Sequence, residues 1–116
     1  TEILLGYFTK HGDGGCDLLP IGGLYKTQVR KLAITLGIPL EIIAKEPTAG
    51  LWEGQTDEGE MGITYDDADR ILSALVDLKW SIARTEKKFG KKKVKIVSVR
   101  MRSTGHKRMP PAIPVI

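Results

Sequence analysis

Apolar residues recur at helical spacing along most of the chain, and breaks in that rhythm divide it into segments. In TEILLGYF, Ile3, Leu4, Tyr7 and Phe8 share one helical face with no cap ahead of them, which reads as a helix entered part-way. Tyr25, Val29, Leu32, Ala33 and Leu36 then fall at i, i+4, i+7, i+8 and i+11, predicting a second helix with one buried face, stopped by Gly37. Pro39 suits the first turn of a short helix carrying Ile42 and Ile43, which must end before Pro47. PTAGLWEGQTDEGEMG, residues 47–62, sustains no periodicity and predicts a long surface loop. Behind it, Thr64 and Asp67 resemble a capping box, and Ala68, Ile71, Leu72, Leu75 and Leu78 mark a core-facing stripe. Ser81 can cap a further helix running to Gly90. VKIVSVRMR fits a strand through Val97, Val99 and Met101, or a helix through Val94, Val97 and Met101; the helix is preferred. HKRMPPAIP cannot continue a helix, because its prolines lack the amide donor.

Length and composition bound this picture. With 116 residues, 41% of them hydrophobic, the chain suits one domain with a modest core. No apolar run reaches the roughly 18 residues that cross a bilayer, so a soluble, cytoplasmic protein without membrane partners is expected. Cys16 stands alone and cannot close an intramolecular disulfide, no Cys/His cluster has zinc spacing, and Cys16 reads as a packing residue. The net charge of +4 conceals a split: residues 1–78 carry 6 Lys+Arg against 13 Asp+Glu, and residues 79–116 carry 12 against 1. Such a basic segment attracts polyanions, whether phosphates, nucleic acid or an acidic surface of the same chain.

Candidate chemistry gathers in a few places. YFTKHGDGGCDLLP places Gly12, Gly14 and Gly15 between Lys10 and Asp17, where backbone amides could approach an ionic ligand or simply make a turn. Lys26 lies in the first turn of a helix, where the macrodipole disfavours a cation unless an anion meets it. Thr48, between a proline and a small-residue step, leaves an amide accessible to a phosphate. His106, Lys107 and Arg108 bring three phosphate-seeking side chains onto a stiff segment.

TEILLGYFTKHGDGGCDLLPIGGLYKTQV, KEPTAGLWEGQTDEGEMGITYDDAD and HKRMPP together resemble, in order and spacing, the C-terminal half of the ammonia-dependent NAD synthetases, of the N-type ATP pyrophosphatase-like family. The resemblance covers residues 1–78 nearly continuously, is weak over 79–103 and resumes at 104–111. The fold it implies is mainly α over these residues: the C-terminal helical half of an α/β Rossmann-like (adenine nucleotide α-hydrolase-like) fold. Within one domain, residues 1–78 hold the substrate and ATP segments with a lid loop, and residues 79–116 the basic C-terminal segment.

The function it implies is a ligase that uses ATP and Mg2+ to adenylate deamido-NAD, after which ammonia displaces AMP to give NAD, in a homodimer. Carried over, the magnesium ligand falls on Glu2, the deamido-NAD contacts on Lys10, Asp17, His106 and Lys107, and the ATP contacts on Lys26 and Thr48. Asp17 would also hold ammonium and take its proton, with Lys10 beside it. The acidic segment 51–61 corresponds to a mobile lid in which Trp52 covers the pocket or anchors the loop. The family's S-G-G-x-D-S phosphate loop and its parallel sheet have no counterpart in this sequence, so a segment of a longer enzyme, inactive alone, is expected. The rival reading is a non-enzymatic module whose basic segment binds nucleic acid; with only Trp80 and Phe89 among those cations, stacking on single strands has little basis.

Overall fold

A computed structural model describes residues 1–110. The proline-rich stretch foreseen beyond Pro110 lies outside the described residues.

Helix α1 is one turn, Glu2–Leu5, shorter than the eight-residue pattern predicts. Gly6 ends it in the left-handed conformation, with φ 66°. A Cβ on Gly6 would lie 2.2 Å from Thr104, so glycine is required there both for backbone conformation and for the close approach of a distant segment. Residues 6–25 contain turns and no helix. Helix α2, Lys26–Thr35, starts one residue after Tyr25, which serves as its N-cap, and α3, Leu40–Ile43, follows Pro39 as predicted.

The surface loop foreseen at 47–62 contains a helix, α4, Asp57–Met61. The Thr56 hydroxyl accepts the Gly59 amide and three acidic residues occupy the first turn, both favourable at a helix N-terminus. Thr64 caps α5, Tyr65–Leu72, by accepting from the Asp67 amide. A π-turn over Ser73–Asp77 then bends the chain away, which exposes Leu78 at the end of the predicted stripe. Ser81 caps α6, Ile82–Phe89, as its position suggests. Residues 91–103 resolve the strand-or-helix ambiguity in favour of a helix, α7, Lys91–Ser103, and a 3₁₀ turn follows over Gly105–Arg108. No strand occurs among the described residues.

The core lies where α5 and α7 cross α1. Leu5, Tyr65, Ala68, Ile71, Leu72, Val94 and Val97 are fully buried, with Met61 and Ile63 closing one side. Burial of each large aliphatic side chain contributes about 1.5–3 kcal/mol. The α2 face expected to be buried is not: no α2 residue is buried, and Leu32, Ile34 and Leu36 are exposed. No helix among the described residues is long and apolar enough to cross a membrane.

Candidate active site

The short α1 is fixed at its start by α5. Asp69, buried, accepts the Thr1 hydroxyl on one oxygen and the Thr27 amide on the other at 2.8 Å. The Lys26 amide in turn donates to the Thr1 hydroxyl at 2.7 Å. One carboxylate therefore seats the N-terminus of α2 beside α1, where negative charge is favoured by the helix dipole. That junction brings Lys26 to Glu2, Nζ to Oε1, at 2.8 Å. The anion that a lysine in a first turn requires is thus Glu2.

A second group reaches the same oxygen. Tyr65 donates from its hydroxyl to Glu2 Oε1 at 2.9 Å and also lies 2.8 Å from Asp57 Oδ2. The cations of Lys26 and Arg30 stand 5.1 and 5.8 Å from the centre of its ring. Burial, then the hydrogen bond to Asp57 and the charge of Glu2, push the Tyr65 phenol well above its ordinary range, which keeps it neutral.

The far end of α1 is held by the 3₁₀ turn. Lys107 Nζ donates to the carbonyls of Gly6 and Phe8, both at 2.7 Å. Arg108 donates to the Leu4 carbonyl at 2.9 Å and to Met101 at 2.6 Å. Of these, the Leu4 and Gly6 carbonyls belong to the C-terminal end of α1, which a one-turn helix leaves without intrahelical partners. Lys10 donates to the His106 carbonyl at 3.0 Å, joining the glycine-rich segment to the same turn. Within that segment the amides of Gly12, Gly14 and Gly15 bond to Thr9 and Gly12 carbonyls, so they close turns of the loop itself. Gly14 is needed for close approach, since a Cβ there would meet the Lys10 carbonyl at 2.6 Å.

Two hollows, each about 490 Å³, share Glu2 and Lys107 on their walls. One is completed by Lys26, Val29 and Gly14, the other by Thr48, Trp52 and Asp57. A third, about 360 Å³, runs from Lys26 to Thr48 along α2. Glu2, Lys26, Thr48 and Lys107 thus stand on the walls of three hollows that share lining residues. Lys10 and His106 join each other beside it, while Asp17 is exposed and lines none of the three hollows.

Sequence reasoning missed Asp57, Tyr65 and Asp69. Tyr65 continues the α5 core stripe three residues before Ala68, and a tyrosine on such a face needs an acceptor for its hydroxyl, a signal that was available. Asp57 sat in what read as loop; it is buried, and its Oδ1 has no partner among the described residues. The proposed lid is anchored over its second half: Gln55 and Tyr7 both donate to Glu60, and Arg100 donates to the Glu60 carbonyl. Leu51 and Trp52 remain exposed. Several cations of the basic segment face the protein itself, with Lys93 paired to Asp67 at 2.6 Å and Lys107 and Arg108 turned onto backbone carbonyls.

The donor set suits a hard cation completed by phosphate oxygens. Glu2 is a carboxylate whose bonds to Lys26 and Tyr65 both fall on Oε1, and magnesium commonly takes one or two protein carboxylates plus phosphates. No cluster of three or more His, Cys, Asp or Glu side chains able to hold a metal occurs among the described residues, so phosphate would have to supply further ligands.

Comparison with known proteins decides the family. The NAD synthase family model matches residues 1–111. The chain belongs to the NAD synthase family. The NH(3)-dependent NAD(+) synthetase of Methanococcoides burtonii is 50% identical over 115 residues, covering 97% of this chain and 43% of that protein. That of Thermococcus kodakarensis is 50% identical over 116 residues, covering 98% and 46%. A solved NMN synthetase structure from Francisella tularensis superposes with a TM-score of 0.78 at 37% identity, over 99% of this chain and 43% of that one. The chain thus spans less than half the length of these NAD synthase family relatives.

Proposed function

We propose that this chain is the C-terminal portion of a cytoplasmic, homodimeric, ammonia-dependent NAD synthetase, the α/β sheet and main phosphate loop being supplied by the rest of the fold. The family membership over residues 1–111 carries this reading, supported by the shared walls on which Glu2, Lys26, Thr48 and Lys107 stand. The nicotinate carboxylate of deamido-NAD attacks the α-phosphorus of ATP, forming a new oxygen–phosphorus bond as the bond to pyrophosphate breaks. Ammonia nitrogen then attacks the activated carbonyl carbon, AMP leaves with its oxygen, and Asp17 takes the proton that the nitrogen sheds.

Each residue has a task its chemistry suits. Lys26 and Thr48 hold ATP, Lys26 with the two ammonium donors it does not spend on Glu2. Lys107 uses two donors on backbone carbonyls and offers the third to deamido-NAD, with His106 and Lys10 beside it. Glu2 would hold magnesium, which when bound neutralises charge on the phosphates. The protein contributes chiefly orientation and fixed charge.

The test is an enzyme at the length of its relatives, assayed for NAD from deamido-NAD, ATP, Mg2+ and ammonium. Lys26→Ala and Asp17→Ala should each lower kcat/KM by about 100-fold or more; near-normal turnover rejects that residue's role. A second reading has one observation in its favour, the 37% identity to an NMN synthetase across nearly the whole chain. On that reading the same chemistry acts on nicotinate mononucleotide. Offering both acids decides it, because the preferred one will show the higher kcat/KM.

A further inference from the structure

Glu2 stands on a one-turn helix, and its side chain is about two-fifths exposed, at 39%. A carboxylate so mounted has three rotatable bonds and little packing to choose among rotamers. Two donors converge on its Oε1. One is Lys26, on a long, partly exposed stem. The other is Tyr65, fully buried, with a ring held by the core packing of α5. The rigid donor is the one able to set direction. Behind it, the same hydroxyl contacts Asp57 in α4, so a single phenolic proton is shared between two carboxylates.

We propose that Tyr65 is a positioning residue: its hydroxyl fixes the Glu2 carboxylate for magnesium, and its contact with Asp57 ties that orientation to α4. This rests on the reading above that Glu2 holds the metal. Groups that orient a ligand by hydrogen bonding tune metal affinity without touching the metal. Through Asp57, a helix that follows the exposed Leu51–Trp52 stretch is linked to the same oxygen. Glu2, Tyr65 and Asp57 of α4 then form one hydrogen-bonded chain of three residues.

Tyr65→Phe in the enzyme at the length of its relatives keeps the ring and removes only the hydroxyl. Binding of Mn2+ in the presence of a non-hydrolysable ATP analogue, read from the electron paramagnetic resonance of free Mn2+, should weaken by about tenfold. The Mg2+ needed for half-maximal activity should rise by about the same factor, with KM for deamido-NAD within about twofold of the parent. Unchanged Mn2+ binding overturns the proposal. Glu2→Gln run in parallel separates the two readings. If it weakens Mn2+ binding and Tyr65→Phe does not, the positioning role alone fails; if Glu2→Gln leaves binding intact, the assignment of the metal to Glu2 fails first. Should Tyr65→Phe not fold with Asp57 facing a bare ring, the double variant Tyr65→Phe/Asp57→Asn removes that buried charge. It should show the same tenfold weakening, and parent-like Mn2+ affinity in it overturns the proposal equally.

Discussion

The two halves of the molecule carry apolar residues at equally regular spacing and treat them oppositely. Around α5 and α7 the stripe is consumed: Ile71, Leu72, Val94 and Val97 have no exposed surface. Along α2 and α3 it is left open, with Leu36, Leu40 and Ile42 between 61% and 75% exposed. The radius of gyration is 15.7 Å, against about 13 Å for a compact domain of this length. Periodicity therefore specifies a helix and the face it must bury, while saying nothing about whether the cover lies within the same 116 residues. The relatives, more than twice as long, have room to provide it.

Four measurements break or sharpen this contrast. Leu72→Ala in the packed half should destabilise the chain by about 2–5 kcal/mol in urea unfolding, whereas Leu36→Ala in the open half should change it by less than about 0.5 kcal/mol. Equal effects would mean that α2 is covered after all. Next, Gly6→Ala combines a left-handed backbone with a clash against Thr104 and should cost about 2–4 kcal/mol. Lys107→Met removes two donors to carbonyls while keeping the aliphatic stem, and should cost about 1–3 kcal/mol in the same titration.

The smallest effect is at Asp67. The hydrogen bond from Lys93 holds its carboxyl below the ordinary 3.8, so the folded chain binds that proton less tightly than the unfolded one. Its contribution is complete above 3.8 and is lost as pH falls through the depressed folded value. Asp67→Asn should therefore cost less than about 1 kcal/mol at neutral pH, and the difference from the parent should vanish once the pH lies below the depressed folded value and shrink in high salt.

What could be read in advance follows the same division. Caps at Thr64 and Ser81 and the stop at Gly37 are local chemistry, visible in a few adjacent residues, and the helices they bound form where expected. Helix α4 escaped because five residues containing Gly59 and flanked by Gly54 and Gly62 lack any periodic signal; its place comes from Met61 entering the core. Helix α1 ran short because Gly6 answers to Thr104, nearly a hundred positions away. For the site, the charge logic at Lys26 led to its partner, while the Tyr65 link between Glu2 and Asp57 spans 63 positions and no local pattern announces it.

Arg108 grips the Leu4 carbonyl across 104 intervening steps of sequence, and Lys107 grips Gly6 across 101. During synthesis the residues of α1 emerge well before the 3₁₀ turn, and the Leu4 and Gly6 carbonyls wait for these donors until that turn leaves the ribosome. A chain ending before residue 107 would lack both donors, so the turn that carries Glu2 is secured only by a segment about a hundred positions away.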